Sequence, residues 1–275
     1  MTRSVLHRVV DNVSDRLKIG MFREHLQKAV LSSLFRSSDT PQISFLGGTC
    51  LRIAHGIGRF SEDLDFSVYD DQFDFSKCLS SVKRNLERDG YQPRIKVRRS
   101  GTAAEKAEIQ FPGLLYETGL SPLKEQNFKI KFEVDTNPPA HSRSERVEAH
   151  REVEEKRKLL LWCYDKPSLL AGKLAAIFCR PWEKGRDFFD LSWFLKNGTV
   201  VEPNIAMLDS ALAQVEWDGT QITLGNWRDE VQKKISTLDF EKINADIVMY
   251  QISEIETPIT ETAIVDMMRL CESLT

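Results

Sequence analysis

The clearest structural pattern in this chain is residues 45–69, FLGGTCLRIAHGIGRFSEDLDFSVY. It predicts a strand, a Gly-Gly turn, a helix, a loop and a second strand that carries Asp63 and Asp65. Because side chains alternate between the faces of a strand, these carboxylates point the same way, while Leu64 and Phe66 face the core. Two parallel carboxylates repel each other unless a cation lies between them, and Mg²⁺ prefers oxygen ligands. The pair therefore predicts a metal site, against the alternative of a strand that simply enters an acidic turn.

The Gly-Gly turn is the second feature of this stretch. Gly47 and Gly48 end the first strand where the backbone must approach another group closely, and Thr49 is predicted to cap the following helix. A helix N-terminus that is reached through glycines is a favourable seat for phosphate. A phosphate seat and a metal pair within one short segment indicate nucleotide chemistry.

The composition is that of an ordinary globular protein, with 275 residues, 41% hydrophobic and 29% charged. This length allows one large domain or two modest ones. The net charge of −3 argues against a protein that is basic throughout, although it allows a local basic patch. Five scattered cysteines without CxxC spacing predict reduced thiols rather than a disulfide framework or a zinc site. Without a signal-peptide pattern or an apolar run of about 18–20 residues, the expected location is the cytoplasm, with no membrane partner.

Hydrophobic periodicity predicts an α/β (α+β) protein with three parts: an N-terminal helical segment (1–40), a mixed α/β core (41–165) and a helical C-terminal domain (166–275). The first helix carries an apolar stripe of Phe22, Leu26, Val30 and Leu34. The predicted helices are 5–35, 49–55, 75–89, 168–178 and 186–195, followed by weaker ones to the end. Besides the strand that carries the carboxylates, which closes at Val68, the predicted strands are 43–46, 94–99, 108–111, 128–134 and 159–163.

A third acidic position lies in the predicted strand 128–134. Lys131, Glu133 and Asp135 share one face there. A carboxylate beside the first two would complete a two-metal clamp, in which one ion activates the attacking oxygen and the other steadies the triphosphate. Glu133 is favoured because it is the more central of the two acids. The alternative is a solvated strand face.

Lys173 lies on a predicted helix that is otherwise rich in Leu and Ala. Such a lysine usually extends into solvent, but its ammonium can also meet a triphosphate as a point charge. Asp187 and Asp190, which follow Arg186, are three residues apart and share a helix face. Asp187 is equally suited to the first turn of a helix, so the residues alone leave both interpretations open.

Two basic stretches are candidate contacts for RNA. Arg94, Lys96 and Arg98 form one face of a predicted strand that continues to Arg99, and residues 143–158 are densely charged. Charge runs are usually solvated faces, and glutamates balance the second one. Contact with nucleic acid is therefore the less favoured interpretation of either stretch.

The motif GGTxL followed by RFSEDLDF resembles the opening motif of the nucleotidyltransferase AbiEii/AbiGii toxin family, within the polymerase-β-like nucleotidyltransferase superfamily. The segment KLAAIFCRPWEKGRDFFDL resembles the later motif of that family, and IKFEVD is similar to the strand between them. Together the three motifs cover residues 45–195 in the expected order. The resemblance implies a mixed sheet flanked by helices, a C-terminal helical domain, and an active site between them.

The resemblance also implies roles for individual residues. At one of these positions, Glu133, relatives often have Asp. The residues and their roles are Gly47, Gly48 and Thr49 for the nucleotide phosphates; Asp63, Asp65 and Glu133 for Mg²⁺ (or Mn²⁺); Lys173 for the triphosphate; Asp187 and Asp190 for the rest of the catalytic pocket; and Arg59 and Arg186 for further substrate contacts.

Members of the family are typically toxins of toxin–antitoxin pairs, and some add nucleotides to the 3′ end of tRNA. The resemblance therefore implies a metal-dependent transfer of NMP from an NTP to an RNA acceptor, with tRNA as the expected one and an antitoxin as protein partner. Two alternatives stay open. The acceptor could be a hydroxyl group of a protein or small molecule, or the protein could be a nucleotide-binding regulator without turnover.

Overall fold

The structure is a computed structural model of the chain, and it describes residues 14–36, 43–68, 72–98, 104–149, 158–196, 201–252 and 258–273. The chain forms two compact units. The first unit comprises Met1–Pro138 and Arg146–Cys163, and the second comprises Pro139–Glu145 and Tyr164–Thr275. The predictions for residues 5–13, 39–41, 69–71, 99 and 150–157 lie outside the described residues.

A seven-stranded sheet in the order β3-β4-β5-β2-β1-β7-β6 is the centre of the fold. The strands are β1 (Ile43–Leu46), β2 (Leu64–Val68), β3 (Arg94–Arg98), β4 (Ala104–Pro112), β5 (Asn127–Asp135), β6 (Ser144–Glu148) and β7 (Leu160–Tyr164). Strand β2 runs parallel to β5 and β1 runs parallel to β7, whereas the pairs β1–β2, β3–β4 and β4–β5 are antiparallel. The mixed sheet confirms the predicted fold class.

Helices flank this sheet within the first unit, and helices make up most of the second unit. They are α1 (Asp15–Phe35), α2 (Gly47–His55), α3 (Phe75–Arg88), α4 (Leu114–Glu117), α5 (Lys166–Cys179), α6 (Gly185–Lys196), α7 (Ile205–Gln214), α8 (Trp227–Ile235), α9 (Phe240–Val248) and α10 (Glu261–Ser273). The predicted apolar stripe of α1 is buried, as expected. Within the described ranges, none of the helices combines the length and the apolar character that crossing a bilayer requires.

Strand β5 shows how the sheet acquires two different faces. Phe128, Ile130, Phe132 and Val134 are buried, and the residues between them point to the opposite side. Aromatic contacts tie the buried side to the helices: the Phe128 ring lies 5.0 Å from that of Phe22 in α1, and the Phe132 ring lies 6.3 Å from that of Phe75 in α3. Alternation therefore produces an apolar face, covered by α1 and α3, and a polar face formed by the intervening side chains.

The sequence prediction missed one strand. Strand β6 lies within the charged run that begins at residue 143, and it forms because it pairs with β7, a long-range contact that local composition does not reveal. Strand β3 lies where a strand was predicted, and its Val97 is 53% exposed because β3 is the edge strand of the sheet.

Gly185 supplies a test of helix packing in the second unit. A Cβ atom at this position would collide with the carbonyl oxygen of Ile243 in α9 and would lie 3.0 Å from Cγ1 of Ile247. We expect Gly185→Ala to lower the free energy of unfolding by about 1–3 kcal/mol, because the helices must move apart. Chemical denaturation of the full chain measures this change.

Gly172 in α5 provides the matched control. A Cβ atom there would enter open space, so Gly172→Ala should raise the free energy of unfolding by about 0.5–1 kcal/mol through helix propensity alone. Equal effects of the two substitutions would contradict close packing at Gly185.

Candidate active site

The connection between β1 and α2 begins the site. Helix α2 starts at Gly47, which has a φ of +79°, so the chain turns there as only glycine readily allows. The prediction that Thr49 caps this helix is wrong, because the helix begins two residues earlier and the N-cap residue is Leu46. Thr49 is fully buried, and its hydroxyl donates a hydrogen bond to the carbonyl oxygen of Asp63. Thr49 therefore links the first turn of α2 to the residue that precedes β2.

Strand pairing brings two of the predicted acids together. Asp65 in β2 is the direct neighbour of Glu133 in β5, and in a parallel pair these side chains lie on the same face. Gly47 lies against the first of them, since a Cβ atom at residue 47 would be 2.5 Å from Oδ2 of Asp65. The missing side chain at Gly47 therefore leaves room for the Asp65 carboxylate at the end of β1.

Two lysines of the polar face form ion pairs with predicted metal ligands. Nζ of Lys106 lies 2.8 Å from Oε2 of Glu133, and Nζ of Lys131 lies 3.4 Å from Oδ1 of Asp63. In the part of the chain that the structure describes, no three His, Cys, Asp or Glu residues form a group arranged to hold a metal ion. The donors themselves are carboxylate oxygens, the type that a hard divalent cation prefers. The site therefore has suitable chemistry for such a cation but has lysine ammonium groups on two of its three carboxylates.

Arg59 adds a buried positive charge beside α2. It is 2% exposed, and its Nη1 donates a hydrogen bond of 3.0 Å to the carbonyl oxygen of Phe60. A Cβ atom on Gly48 would lie 2.6 Å from its Nη2. Gly48 and Arg59 are therefore in close contact, and the first turn of α2 has a guanidinium group next to it.

A second group of predicted residues lies in the second unit, where α5 and α6 face each other. Nζ of Lys173 is 3.1 Å from Oδ1 of Asp187 and 2.7 Å from Oδ2 of Asp190, and Arg180 also pairs with Asp187. Asp187 lies in the first turn of α6, and both acids share one face of that helix, as expected. Of the two interpretations that the sequence leaves open for Lys173, extension into solvent does not hold: its side chain is only 14% exposed, because the two acids hold it against α6.

Further basic residues surround this cluster. Burial lowers the pKa of the Lys184 ammonium, and the neighbouring Arg186 and Arg180 guanidinium groups lower this pKa further. Cζ of Arg186 lies 4.2 Å from the centre of the Tyr250 ring. A pocket here is lined by the basic residues Arg180, Lys184 and Lys234 and by the acids Glu183 and Asp187. Because the three cations outnumber the two acids, the pocket would favour a phosphate group. Lys184 was not selected from the sequence, because only the packing of α6 brings it close to these residues.

The buried cluster allows a stability test. Lys173→Met removes a cation that pairs with both buried acids, so we expect it to lower the free energy of unfolding by about 3–5 kcal/mol. The control is Lys242→Met, which breaks the exposed ion pair of Lys242 with Asp239. That substitution should change the free energy of unfolding by less than about 1 kcal/mol. Similar losses in both variants, measured by denaturation, would refute a special role for the Lys173 cluster.

Comparison with known proteins gives a family and a shared fold. A family model described as the nucleotidyl transferase AbiEii toxin of type IV toxin–antitoxin systems matches residues 29–259. No curated protein matches the chain. Among solved structures, the chain is similar to the nucleotidyltransferase toxin MenT4 of Mycobacterium tuberculosis H37Rv, with 18% identity, a TM-score of 0.64, and coverage of 100% of this chain and 91% of the other. It is also similar to JHP933 of Helicobacter pylori, with 18% identity, a TM-score of 0.61, and coverage of 94% and 93%. At this identity, the similarity to the solved structures shows a common fold.

Proposed function

Because the chain belongs to the family of AbiEii nucleotidyltransferase toxins of type IV toxin–antitoxin systems, we propose that it transfers NMP from an NTP to the 3′ end of an RNA, with tRNA as the first acceptor to test. The observation that supports the site is the neighbouring pair of Asp65 and Glu133 next to the glycine turn that begins α2. In the reaction, the terminal hydroxyl oxygen bonds to the α-phosphorus and loses its proton. The bond from the α-phosphorus to the bridging oxygen breaks, and pyrophosphate leaves.

Asp63, Asp65 and Glu133 are the proposed ligands of a divalent cation, Mg²⁺ or Mn²⁺. When bound, such a cation polarises phosphoryl oxygens and neutralises charge on the leaving pyrophosphate. Lys106 and Lys131 balance the charge of Glu133 and Asp63 in the structure. These lysines reduce the repulsion between the carboxylates, but they also compete with the cation for the same oxygen atoms.

The phosphate side of the proposed site consists of α2 and its neighbours. The proposed seat of the triphosphate is the first turn of α2, which begins at Gly47 and Gly48, because a helix N-terminus favours phosphate. Arg59 adds a positive charge beside Gly48. Thr49 is proposed to act as a positioning residue rather than to contact the phosphates. Its hydroxyl donates a hydrogen bond to the carbonyl oxygen of Asp63 and so fixes the backbone there.

In the second unit, the proposed triphosphate contact is Lys173, which Asp187 and Asp190 hold in one orientation. Arg186 is proposed to contribute further positive charge. The proposal includes a cytoplasmic location, an antitoxin encoded with the toxin, and functional parts at 1–40, 41–165 and 166–275.

The direct experiment incubates the purified chain with Mg²⁺, each labelled NTP in turn, and total cellular RNA. We expect label to enter RNA, with tRNA as the main product. A protein or small molecule that gains the mass of one NMP, with no labelled RNA, would overturn the RNA acceptor. NTP binding without transfer to any acceptor would instead favour a regulator.

Asp65 offers the sharpest test of the acidic pair. We expect Asp65→Asn to lower the rate of transfer by about 10²–10³-fold, because the proposed divalent cation, which neutralises the developing charge, loses a carboxylate ligand. Asp135→Asn is the matched control, since Asp135 lies on the same face two residues beyond Glu133 but outside the proposed ligand set. Equal activity losses in the two variants would argue against a specific role for Asp65.

A substitution at Lys106 tests the proposed metal site by metal affinity, without measuring catalytic activity. Lys106→Met removes an ammonium group 2.8 Å from Glu133, so we expect Mn²⁺ to bind about tenfold more tightly. Calorimetry or the paramagnetic signal of free Mn²⁺ measures this affinity. Lys129→Met is the control, because Lys129 pairs with Glu108, which is not a proposed ligand. Unchanged or weaker Mn²⁺ binding in Lys106→Met would contradict a metal site at Glu133.

A further inference from the structure

The polar face of the sheet carries a group of basic side chains next to the acidic pair. The pairing of β3, β4 and β5 places six of them on this face: Arg94, Lys96, Arg98, Lys106, Lys129 and Lys131. Two carboxylates, Glu108 and Glu133, lie beside these cations on the same face, and their side chains are only 14% and 29% exposed. The Lys131 side chain, by comparison, is 59% exposed. Solvent therefore meets mainly positive charge on this part of the sheet, which we call the basic track.

The register of the strands arranges the charged residues of this face in a row that leads from the sheet edge to the acidic pair. Arg98 in β3 lies opposite Lys106 in β4, and Lys106 lies opposite Glu133 in β5. Glu133 in turn lies beside Asp65 in β2. The row therefore runs from two cations at the edge to two carboxylates near the centre. It spans three strand spacings of about 4.8 Å, or about 14 Å in total.

Ion pairs occupy part of the basic track, and the exposed residues Arg94 and Lys96 on its edge strand are the most available to a ligand. Glu108 pairs with Arg98 at 2.7 Å and with Lys129 at 3.6 Å. The hydrogen bond from Arg98 lowers the pKa of Glu108, so this carboxylate stays charged and holds both cations in place. Arg94 and Lys96 lie on β3, the edge strand, and are exposed. An incoming polyanion would meet these two residues first.

The chemistry of the track favours one kind of partner. The six basic residues alternate along their strands with residues of the apolar face, so the track offers charge without an apolar surface for a protein or lipid partner. It also offers no aromatic ring on which a base could stack. Contacts of this type bind phosphate groups and carry no sequence information.

We propose that the basic track holds the last few nucleotides of a single-stranded RNA end and leads its terminal hydroxyl to Asp65 and Glu133. The phosphates of this RNA contact Arg94, Lys96 and their neighbours, and the bases are not read on this surface. This inference rests on the proposed function, since it names the surface through which the acceptor reaches the same site. Any preference for one RNA sequence must then come from another part of the chain.

The test measures the binding of short labelled single-stranded RNAs to the full chain. Fluorescence anisotropy gives the affinity at each of several salt concentrations. The double variant Arg94→Glu/Lys96→Glu should weaken binding about tenfold at low salt. The slope of log K against log salt should fall by about 1.4, because two phosphate contacts are lost. Oligo-U and oligo-A should bind with similar affinity, and the affinity for NTP should not change.

Lys77→Glu/Lys83→Glu is the charge-matched control, since both lysines are exposed on α3, which packs on the apolar face. Lys129→Glu is a second track variant, for the case that the edge strand does not tolerate the double reversal. The inference would be overturned if the track and control variants weakened RNA binding equally, or if neither track variant weakened it. It would also be overturned if the chain showed a strong base preference that the track variants removed.

The same variants separate this inference from the proposed function. RNA binding that depends on the track, without transfer to any RNA, would uphold the track and reject the RNA acceptor reaction. RNA transfer with an unchanged kcat/KM for RNA in the track variants would uphold the reaction and reject the track.

Discussion

Two carboxylates, Asp65 and Glu133, lie side by side on adjacent strands of the sheet, and their mutual repulsion must be offset by positive charge. The polar face is arranged around this requirement. Lys106 pairs with Glu133, and Lys131 pairs with the preceding acid, Asp63. A lysine contributes a single mobile charge that a divalent cation can replace. The same pairs therefore stabilise the folded chain and keep the proposed metal ligands in position.

The two faces of the sheet separate stability from chemistry. Helices α1 and α3 cover the apolar face through aromatic contacts such as Phe22 with Phe128. The polar face stays accessible, and it carries both the acidic pair and the basic track. A shift of one residue in the pairing of β5 would move Glu133 to the apolar face and Phe132 to the polar face. The burial of Phe132 therefore fixes the orientation of Glu133.

Local pattern predicted much of this arrangement. The order strand, Gly-Gly, helix and acidic strand was correct, as were the alternation along β5 and the shared face of Asp187 and Asp190. The errors and the open alternatives concern properties that depend on distant contacts. Thr49 does not cap α2, because its hydroxyl is bonded to the carbonyl oxygen of Asp63. The sequence left open whether Lys173 extends into solvent, and acids of another helix decide that it does not. Strand β6 was missed because its pairing with β7, rather than its charged composition, makes it a strand.

Alternation between the faces of a strand follows from the backbone geometry of that strand alone, so it can be predicted from local sequence. Local sequence therefore predicts that Lys131 and Glu133 share a face, and the sequence motifs identify the family. The positions of Glu133 beside Asp65 and of Lys106 beside Glu133 depend instead on how the strands pair in the folded sheet. Strand order and register join segments that are far apart in the chain, so they depend on how the whole sheet buries its apolar face. No local pattern contains that information.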